Sequence, residues 1–376
     1  MKKMINMIVL LSVGATLIGC GSNPSEEKKG EDVITITDLQ NRKVTIDKSK
    51  VDRVICLGAG ALRMYSYVGD VSKLVAVEEI DKTPFGVGTA LRPYYEANKD
   101  AFTTLPTCGK GGPAAQKPDP EAIIANEPNI IISLYSDPSV NEELSASLNV
   151  PVVALSSTGD GVFDNNSIKS FELLGQIFNK EARATELVSY INEAKKDFEN
   201  LEMSTTTNYV GCVGNWGKTN LYGSYANYPV FKYAHATNVV DSLFDISKQV
   251  TVESEKLIEL NPDHIFFDGA GYADFLSDYK ENKSKYASLS AIENGETYIL
   301  LPYNAYYTNL EIQIISTYYV ASVNHPTAFK NFDIEAKANE VSKKFLGKDN
   351  LYTEYLKYST AHGGYHKINI EEDLSE

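Results

Sequence analysis

The sequence is poor in cysteine, with four in 376 residues. Cys20 belongs to the leader described below, which leaves Cys56, Cys108 and Cys212 for the body of the protein. An odd number of widely spaced cysteines excludes a disulfide framework and does not have the spacing of a metal site. The apolar neighbours in "RVICLG" and "YVGCVG" predict that Cys56 and Cys212 are small, buried hydrophobic side chains on strands.

Motifs of catalysis are also lacking, since the chain contains no HExxH and no GxSxG. The stretch "GAGALR" (58–63) lacks the third glycine of a dinucleotide-binding turn, although Glu78 and Glu79 stand near the spacing of its ribose-binding acid. "GNWGKT" (214–219) ends like a phosphate-binding loop, but Cys212 occupies the position of the required first glycine. We therefore predict that the protein is not an enzyme and holds neither a cofactor nor a metal ion of its own.

Positive charge is scarce. The chain has 35 basic and 50 acidic residues, a net charge of −15, and only five of its basic residues are arginines. Loss of residues 1–19 would remove Lys2 and Lys3 and no acid, which brings the net charge to −17. So acidic a protein has no general attraction to nucleic acid or to anionic lipid.

No apolar run is long enough to be a typical membrane span, and the run Ile5 to Leu11 follows a basic start. The run leads to "LIGC", Leu17 to Cys20, which resembles a bacterial lipobox and implies that a diacylglyceryl group is attached to Cys20. The alternative is an ordinary cleaved signal with an incidental cysteine. The polar stretch that follows predicts a flexible tether, so we expect an exported protein anchored by lipid at the extracytoplasmic face of the cell membrane.

Two segments of the chain repeat one pattern. "EAIIANEPNIIIS" and "EKLIELNPDHIFFD" each start with a glutamate, Glu121 and Glu255, and have a proline seven residues later, followed by an apolar run. The proline predicts the end of a helix, and the apolar run predicts a buried parallel strand. Upstream of each, a strand-like run ends in glycines, at 52–60 and 208–217. The repeat predicts two α/β lobes.

Between the repeats, residues 167–203 carry apolar residues at helical spacing and no proline. A helix from Glu181 to Leu201 would be about 30 Å long and would act as a rigid strut between the lobes. We predict six segments: a signal peptide (1–19), a lipidated tether (20–32), an N-terminal lobe (33–166), a helical hairpin or strut (167–203), a C-terminal lobe (204–333), and C-terminal helices with a tail (334–376).

The mature chain resembles the substrate-binding lipoproteins of ABC importers for iron–siderophore, haem and corrinoid ligands. The most specific resemblance lies in "PDPEAIIANEPNIII" (118–132) and "VTVESEKLIELNPDHIFFD" (250–268). It implies an α/β fold of two Rossmann-like lobes with parallel sheets, joined by one long rigid α-helix, with a ligand cleft between the lobes. It also implies a monomer that works with ABC permease and ATPase subunits, and that Glu121 and Glu255 dock on two permease halves. Helix capping is the alternative role of these two glutamates.

Tyrosine, in contrast, is abundant, with 24 residues, three of them in "LPYNAYYTN" (301–309). Ligands of open α/β units lie beyond the carboxyl ends of the strands, where we expect loops at 58–65, 92–95, 133–137, 214–228, 268–272 and 302–309. Tyr65 and Tyr272 are among the aromatic residues of these loops, whereas Tyr318 and Tyr319 have the helical spacing of core residues. The predicted ligand contacts are Arg63, Arg92, Tyr94, Tyr95, Trp216, Lys218, Tyr222, Tyr225, Tyr303, Asn304, Tyr306 and Tyr307.

The arginines narrow the ligand class, because the only two that fall in the predicted cleft loops, Arg63 and Arg92, both come from the first lobe. A guanidinium pairs well with the oxygens of a metal chelate that carries carboxylate or catecholate groups, and with those of an oxyanion. The resemblance to importers of iron–siderophore ligands implies that the ligand is an anionic iron chelate of the siderophore type. An oxyanion such as molybdate or tungstate, haem, and a corrinoid remain alternatives, as does a surface lipoprotein without a transport role.

Overall fold

A computed structural model describes residues 32–82, 92–112, 117–157, 159–213, 220–356 and 364–374. The leader with Cys20 and the predicted contacts Trp216 and Lys218 lie outside these residues. The described chain forms a mixed α/β fold with two parallel sheets, as predicted.

The N-terminal sheet consists of three short parallel strands in the order β3-β4-β5. All residues of these strands are buried, as expected of continuous apolar runs in a parallel sheet with both faces covered. A separate antiparallel hairpin, β1 with β2, precedes them and pairs Val33 with Asp47. The strands and helices of this part are β1 (Val33–Thr37), β2 (Lys43–Asp47), β3 (Val54–Leu57), α1 (Ala61–Val68), α2 (Pro93–Phe102), α3 (Pro120–Ile124), β4 (Ile130–Ser133), α4 (Pro138–Leu148) and β5 (Val152–Ala154).

The linking segment is a pair of packed helices, α5 (Asn165–Phe178) and α6 (Glu181–Lys196). Asn179, in the left-handed conformation at φ 54°, ends α5 and starts the turn. The helices pass so closely that a Cβ on Gly175 would lie 2.7 Å from the Cβ of Ala184, so this crossing requires glycine. The helix α6 ends before the predicted end at Leu201, and the chain then turns so that Phe198 packs in the core.

The C-terminal sheet has the order β12-β11-β10-β6-β8 and is parallel except for β12, which is antiparallel to β11. Strands β7 and β9 form a separate antiparallel pair. The elements are β6 (Thr207–Gly211), β7 (Gly223–Ala226), α7 (Pro229–Tyr233), β8 (Thr237–Asn238), β9 (Lys248–Thr251), α8 (Ser254–Leu260), β10 (His264–Asp268), α9 (Tyr272–Glu281), α10 (Lys283–Tyr286), α11 (Ser290–Glu293), β11 (Thr297–Leu300), α12 (Leu310–Asn324), α13 (Ile334–Leu346), α14 (Leu351–Leu356), β12 (His366–Lys367) and α15 (Ile370–Asp373).

The sequence repeat is present in the structure. Residues Glu127 and Asn261, each just before the proline of its repeat, have left-handed φ values of 46° and 37°. One residue after the proline, an Asn129 oxygen accepts from the N–H of Arg53 at 3.0 Å, and an Asp263 oxygen accepts from the N–H of Thr207 at 2.8 Å. In both lobes, this side chain ties the repeat to the start of the neighbouring parallel strand, so α3 and α8 occupy equivalent positions.

The main core continues from the N-terminal sheet through α5 and α6 to α12. The helix α12 is buried on all sides from Leu310 to Ala321, and Tyr318 and Tyr319 lie in the core, as predicted. Cys56 and Cys212 are both buried and free, as predicted. Cys56 lies on β3, but Cys212 directly follows β6 with a left-handed φ of 63°, so the prediction that both lie on strands is wrong for Cys212. Among the helices that the structure describes, none combines the length and apolar character needed to cross a bilayer.

Candidate functional site

The candidate site lies where loops that follow the N-terminal strands meet the loop that follows β11. The turn after β3 contains Gly60, at φ 90°, and a Cβ there would lie 2.9 Å from the ring of Tyr307. The loop at 302–309 therefore reaches the N-terminal lobe directly, and a side chain at position 60 would hold the two lobes apart.

Arg63 connects the lobes at this point. Its side chain is 1% exposed and donates to the backbone oxygens of Ala305 at 2.6 Å, Thr308 at 2.9 Å and Tyr306 at 3.1 Å. The loop needs such support because Tyr306 and Tyr307 both have positive φ, 51° and 83°, which bulky residues rarely adopt. Arg63 is thus a positioning residue for the tyrosine loop.

The tyrosines of this loop make further contacts with the N-terminal lobe. The Tyr306 hydroxyl donates to Glu78 Oε2 at 2.7 Å, and the same oxygen accepts from the N–H of Gly58 at 3.2 Å. The Tyr307 hydroxyl donates to the backbone oxygen of Ser157. Burial raises the pKa of Glu78 to about 7, and the nearby Asp81 carboxylate adds to the shift. The Glu78 carboxyl therefore titrates close to neutral pH.

Arg92, which precedes α2, lies beside Arg63. Its guanidinium donates to the backbone oxygen of Ile80 at 2.6 Å and lies 3.5 Å from Asp81 Oδ1. The Tyr94 hydroxyl donates to the same Asp81 oxygen at 2.5 Å. Burial raises the pKa of Asp81, and the positive charge of Arg92 opposes that shift. The Arg63 guanidinium lies 4.7 Å from the centre of the Tyr94 ring, and that of Arg92 lies 6.0 Å from it, so both lie near one aromatic ring.

The C-terminal lobe contributes a second buried carboxyl and a group of tyrosines. Asp268, at the end of β10, accepts from the N–H of Ala270 at 2.8 Å and from the N–H of Tyr303 at 3.0 Å. Burial raises the pKa of Asp268 to about 7. The Tyr303 ring packs against Tyr228 and Tyr225, with ring centres 5.0 and 5.8 Å apart. Asp268 therefore holds the start of the tyrosine loop in place.

The structure brings most of the predicted contacts together and separates one. In the cluster at the loop from 302 to 309, the side-chain oxygen of Asn304 accepts from the Thr308 hydroxyl at 3.0 Å. The centre of the Tyr95 ring lies 5.1 Å from the Arg92 guanidinium. Tyr222 instead packs against a separate core and stacks on Tyr286. The described predicted contacts that lie in or beside the cluster are Arg63, Arg92, Tyr94, Tyr95, Tyr225, Tyr303, Asn304, Tyr306 and Tyr307.

Two expected loops are helical instead. Arg63 lies on α1 and Tyr94 on α2, because Pro93 is well suited to the first position of a helix and "ALRMYSYV" continues as an amphipathic helix. Tyr65 and Tyr272, expected in cleft loops, are buried in the two cores, where they pack against Phe178 and Phe267. The reason is that a helix that starts immediately after the strand turns every third or fourth residue back to the sheet.

The sequence does not predict the buried carboxyls Asp81, Asp268 and Glu311, and Glu78 stands out in it only by its spacing from the glycines at 58–60. Glu311 is fully buried in the first turn of α12 and accepts from the Tyr67 hydroxyl at 2.5 Å. The sequence does contain an indication that Asp268 lies at the site. This residue directly follows the apolar run "HIFF", at the carboxyl end of a predicted strand. In the described part of the chain, no group of three or more His, Cys, Asp or Glu side chains has the arrangement of a metal site.

The chain is similar to known solute-binding proteins. A family model described as "Periplasmic binding protein" matches residues 54–303. The "Iron-uptake system-binding protein" of Bacillus subtilis (strain 168) is 23% identical over 317 residues, which cover 80% of this chain and 91% of that protein.

Two solved structures illustrate the likeness of fold. The periplasmic solute binding protein of Veillonella parvula DSM 2008 superposes with a TM-score of 0.65 at 13% identity, over 84% of this chain and 94% of its own. The molybdate-binding protein MolA of Haemophilus influenzae, solved with molybdate, gives a TM-score of 0.63 at 18% identity, over 84% of this chain and 98% of its own. At these identities the likeness supports the fold alone.

Proposed function

This chain belongs to the periplasmic binding protein family, whose members bind solutes for transport and are not enzymes, and we propose that its solute is an anionic iron chelate of the siderophore type. It acts outside the cytoplasm and serves an ABC importer. In this proposal Cys20 carries the lipid that keeps the protein at the membrane face, and the chelate binds between the lobes, where the arginines and the tyrosine loop lie.

The observation that carries the proposal is the pair of buried guanidinium groups near the Tyr94 ring, one of which holds the tyrosine loop. Three of the N–H···O bonds of Arg63 go to that loop, and within the described residues no acceptor fills its buried Nε. Burial raises the pKa values of the neighbouring carboxyls Glu78, Asp81 and Glu311 and so favours their neutral forms. A raised pKa disfavours the charged form of a carboxyl, which weakens its competition with an anionic ligand for the guanidinium groups.

The relative's name gives independent support for iron. The B. subtilis protein is named for iron uptake, and it aligns with most of this chain. Tyrosine hydroxyls and aromatic faces suit a chelate that has both polar oxygens and flat apolar parts. A large ligand would have to replace contacts such as that between Tyr306 and Glu78.

A small oxyanion is the second candidate, and the same close contact favours it. With Tyr306 and Glu78 only 2.7 Å apart, a ligand of a few atoms would disturb the loops less than a chelate. The Haemophilus relative of similar fold was solved with molybdate. In either case a guanidinium is suited to pair with ligand oxygens.

The test is to identify what the protein carries and what it binds. The full chain is purified from its own host, and its ligand is identified by mass spectrometry and a visible spectrum. The protein is then stripped and titrated with ferric citrate, a ferric catecholate, haemin and molybdate. The signal is the fluorescence of Trp216, the only tryptophan in the chain.

We expect the purified protein to show a broad red-brown charge-transfer band, and its tryptophan fluorescence to change when a ferric chelate is added. A Soret band would identify haem instead, and a response to molybdate alone would identify an oxyanion. If the protein carries nothing and responds to none of the probes, a surface lipoprotein without a transport role becomes the better explanation.

A further inference from the structure

The repeat presents an exposed isoleucine beside an exposed glutamate in each lobe. Ile124 lies three residues after Glu121 on α3, and Ile258 lies three residues after Glu255 on α8. Residues three apart on a helix lie on the same side of it. The two isoleucines are 56% and 40% exposed, and both glutamates are exposed as well.

The isoleucines are not core residues that a rotation of the helix has turned outward. In each repeat, the residue just before the isoleucine, Ile123 or Leu257, is fully buried and already fills the core position of that turn. Isoleucine at 124 and 258 thus adds nothing to the core. Only four large apolar side chains are so exposed in the described ranges, and two of them occupy the same position of the repeat.

The neighbouring glutamates are available to a partner. No lysine or arginine forms an ion pair with Glu121 or Glu255 among the residues that the structure describes, and Glu255 accepts a hydrogen bond from the hydroxyl of the adjacent Ser254 at 3.0 Å. Asp119 caps α3 by accepting from the N–H of Ala122, so capping does not require Glu121. Each repeat therefore offers a negative charge and an apolar side chain on one exposed helical turn.

We propose that Ile124 and Ile258 are apolar anchors for docking on the permease, each inserted beside its glutamate into one of two equivalent permease pockets. This inference rests on the proposed transport function. A permease pocket that fits this pair of side chains would contain a basic side chain bordered by apolar surface. Burial of the isoleucine would exclude water from the ion pair and strengthen it, and two equal sites would act together.

The repetition is the reason to choose a permease over other partners. An arrangement that occurs once in each lobe fits a membrane protein whose two halves present the same pocket. A lipid surface is a poor partner, because anionic head groups would repel both glutamates.

The test introduces a photoreactive benzophenone amino acid at position 124 or 258 of the full chain, in host cells that lack the native copy. Matched controls carry it at Met203 or Ile246, which are 60% and 37% exposed and lie outside the repeat. Ultraviolet light should link positions 124 and 258 to a multi-span permease subunit, identified by mass spectrometry, and the controls should not. The adduct should disappear when Glu121→Ala and Glu255→Ala are added.

Uptake of radioactive iron, supplied as ferric citrate and as a ferric catecholate, provides the functional measurement. The Ile124→Ser/Ile258→Ser variant should take up iron about tenfold more slowly, as expected when well-buried anchors are lost, with unchanged binding by the purified protein. The Met203→Ser/Ile246→Ser control should transport normally.

Adducts of equal yield at all four positions, or adducts only with lipid or with a second copy of the protein, would overturn the inference. Normal iron uptake by the double serine variant would overturn it as well, provided that the purified protein binds a ferric probe. A protein that binds no ferric probe would refute the iron proposal alone, because the permease adduct forms or fails independently of the cargo.

Discussion

The Tyr306 hydroxyl donates a hydrogen bond to Glu78 Oε2 at 2.7 Å and so joins the loop after β11 to the N-terminal lobe. Tyr306→Phe removes this bond and leaves a buried carboxyl with one partner fewer. We expect the free energy of unfolding to fall by about 1–3 kcal/mol, the usual cost of an unsatisfied buried polar group. Urea denaturation measures it, with Tyr190→Phe as the control because the Tyr190 hydroxyl bonds Glu340 at the surface. Equal losses in both variants would contradict a special role of the contact.

Glu78 should make the protein less stable as the pH rises. Its pKa is about 7 in the folded protein, above the ordinary value of 4.5, so the folded state holds the proton more tightly than the unfolded chain. The contribution of Glu78 to the free energy of unfolding is therefore full below pH 4.5, decreases between pH 4.5 and 7, and stays low above that range. Asp268, whose pKa is also raised to about 7, acts in the same direction.

Glu78→Gln tests the pH dependence, because its amide oxygen can still accept from Tyr306 and Gly58 but does not titrate. We expect this variant to be more stable than the wild type at pH 8, by about 1–3 kcal/mol, and to gain nothing at pH 4. Denaturation curves across this pH range provide the measurement. Glu79→Gln, which removes the same charge from an exposed neighbour, is the matched control. A parallel pH profile of the Glu78 variant and the wild type would refute the assignment.

Arg92 should contribute to ligand binding. Arg92→Ala should weaken binding of the identified cargo by about 1.5–3 kcal/mol, the scale of hydrogen bonds to a charged group. Titration followed by Trp216 fluorescence gives the dissociation constant, and Arg53→Ala, which removes a partly exposed arginine from the same lobe, is the control. If Arg92→Ala and Tyr306→Ala both leave the constant within about a factor of two, where the change is below ~0.5 kcal/mol, the ligand does not bind at this cluster.

Glu121 and Glu255 should act as a pair in transport. An exposed ion pair is worth about 0–1 kcal/mol, so either alanine substitution alone should change uptake little and the double substitution should change it most. Uptake by cells and ligand binding by the purified proteins are measured side by side. The control is Glu143→Ala/Glu281→Ala, which removes two charges from other exposed positions. Normal uptake by the Glu121→Ala/Glu255→Ala variant, or loss of its ligand binding, would contradict docking.

Cys20 should attach the protein to the membrane. Cys20→Ser removes the thiol that a lipid would modify, so the protein should move from the membrane fraction to the soluble extracytoplasmic fraction. Metabolic labelling with radioactive palmitate should label the wild type and not the variant. Cys108→Ser, a buried cysteine elsewhere in the chain, should leave both results unchanged. Membrane association that persists in Cys20→Ser would show that another feature anchors the protein.

The repeat and the strands were predictable because their signals are local. A proline seven residues after a glutamate ends a short helix, and the following apolar run must be buried; both statements hold for α3–β4 and for α8–β10. The boundaries of helical elements were less predictable. The sequence predicts loops at residues 61–65 and 93–95, yet these residues belong to α1 and α2. The start of a helix next to glycine or proline resembles a turn in sequence.

The fold class, the repeat in the two lobes, the burial of the cysteines and the concentration of tyrosine near residue 306 can be read from the amino-acid sequence, because composition and spacing along the chain carry these properties. Which side chains meet depends instead on how the folded chain packs. Arg63 and the loop oxygens it binds are more than 240 residues apart, as are Tyr67 and Glu311. Burial of these groups, which raises the pKa of Glu78 and turns Arg63 into a support for the loop, arises only when both lobes pack together, so no local pattern could reveal it.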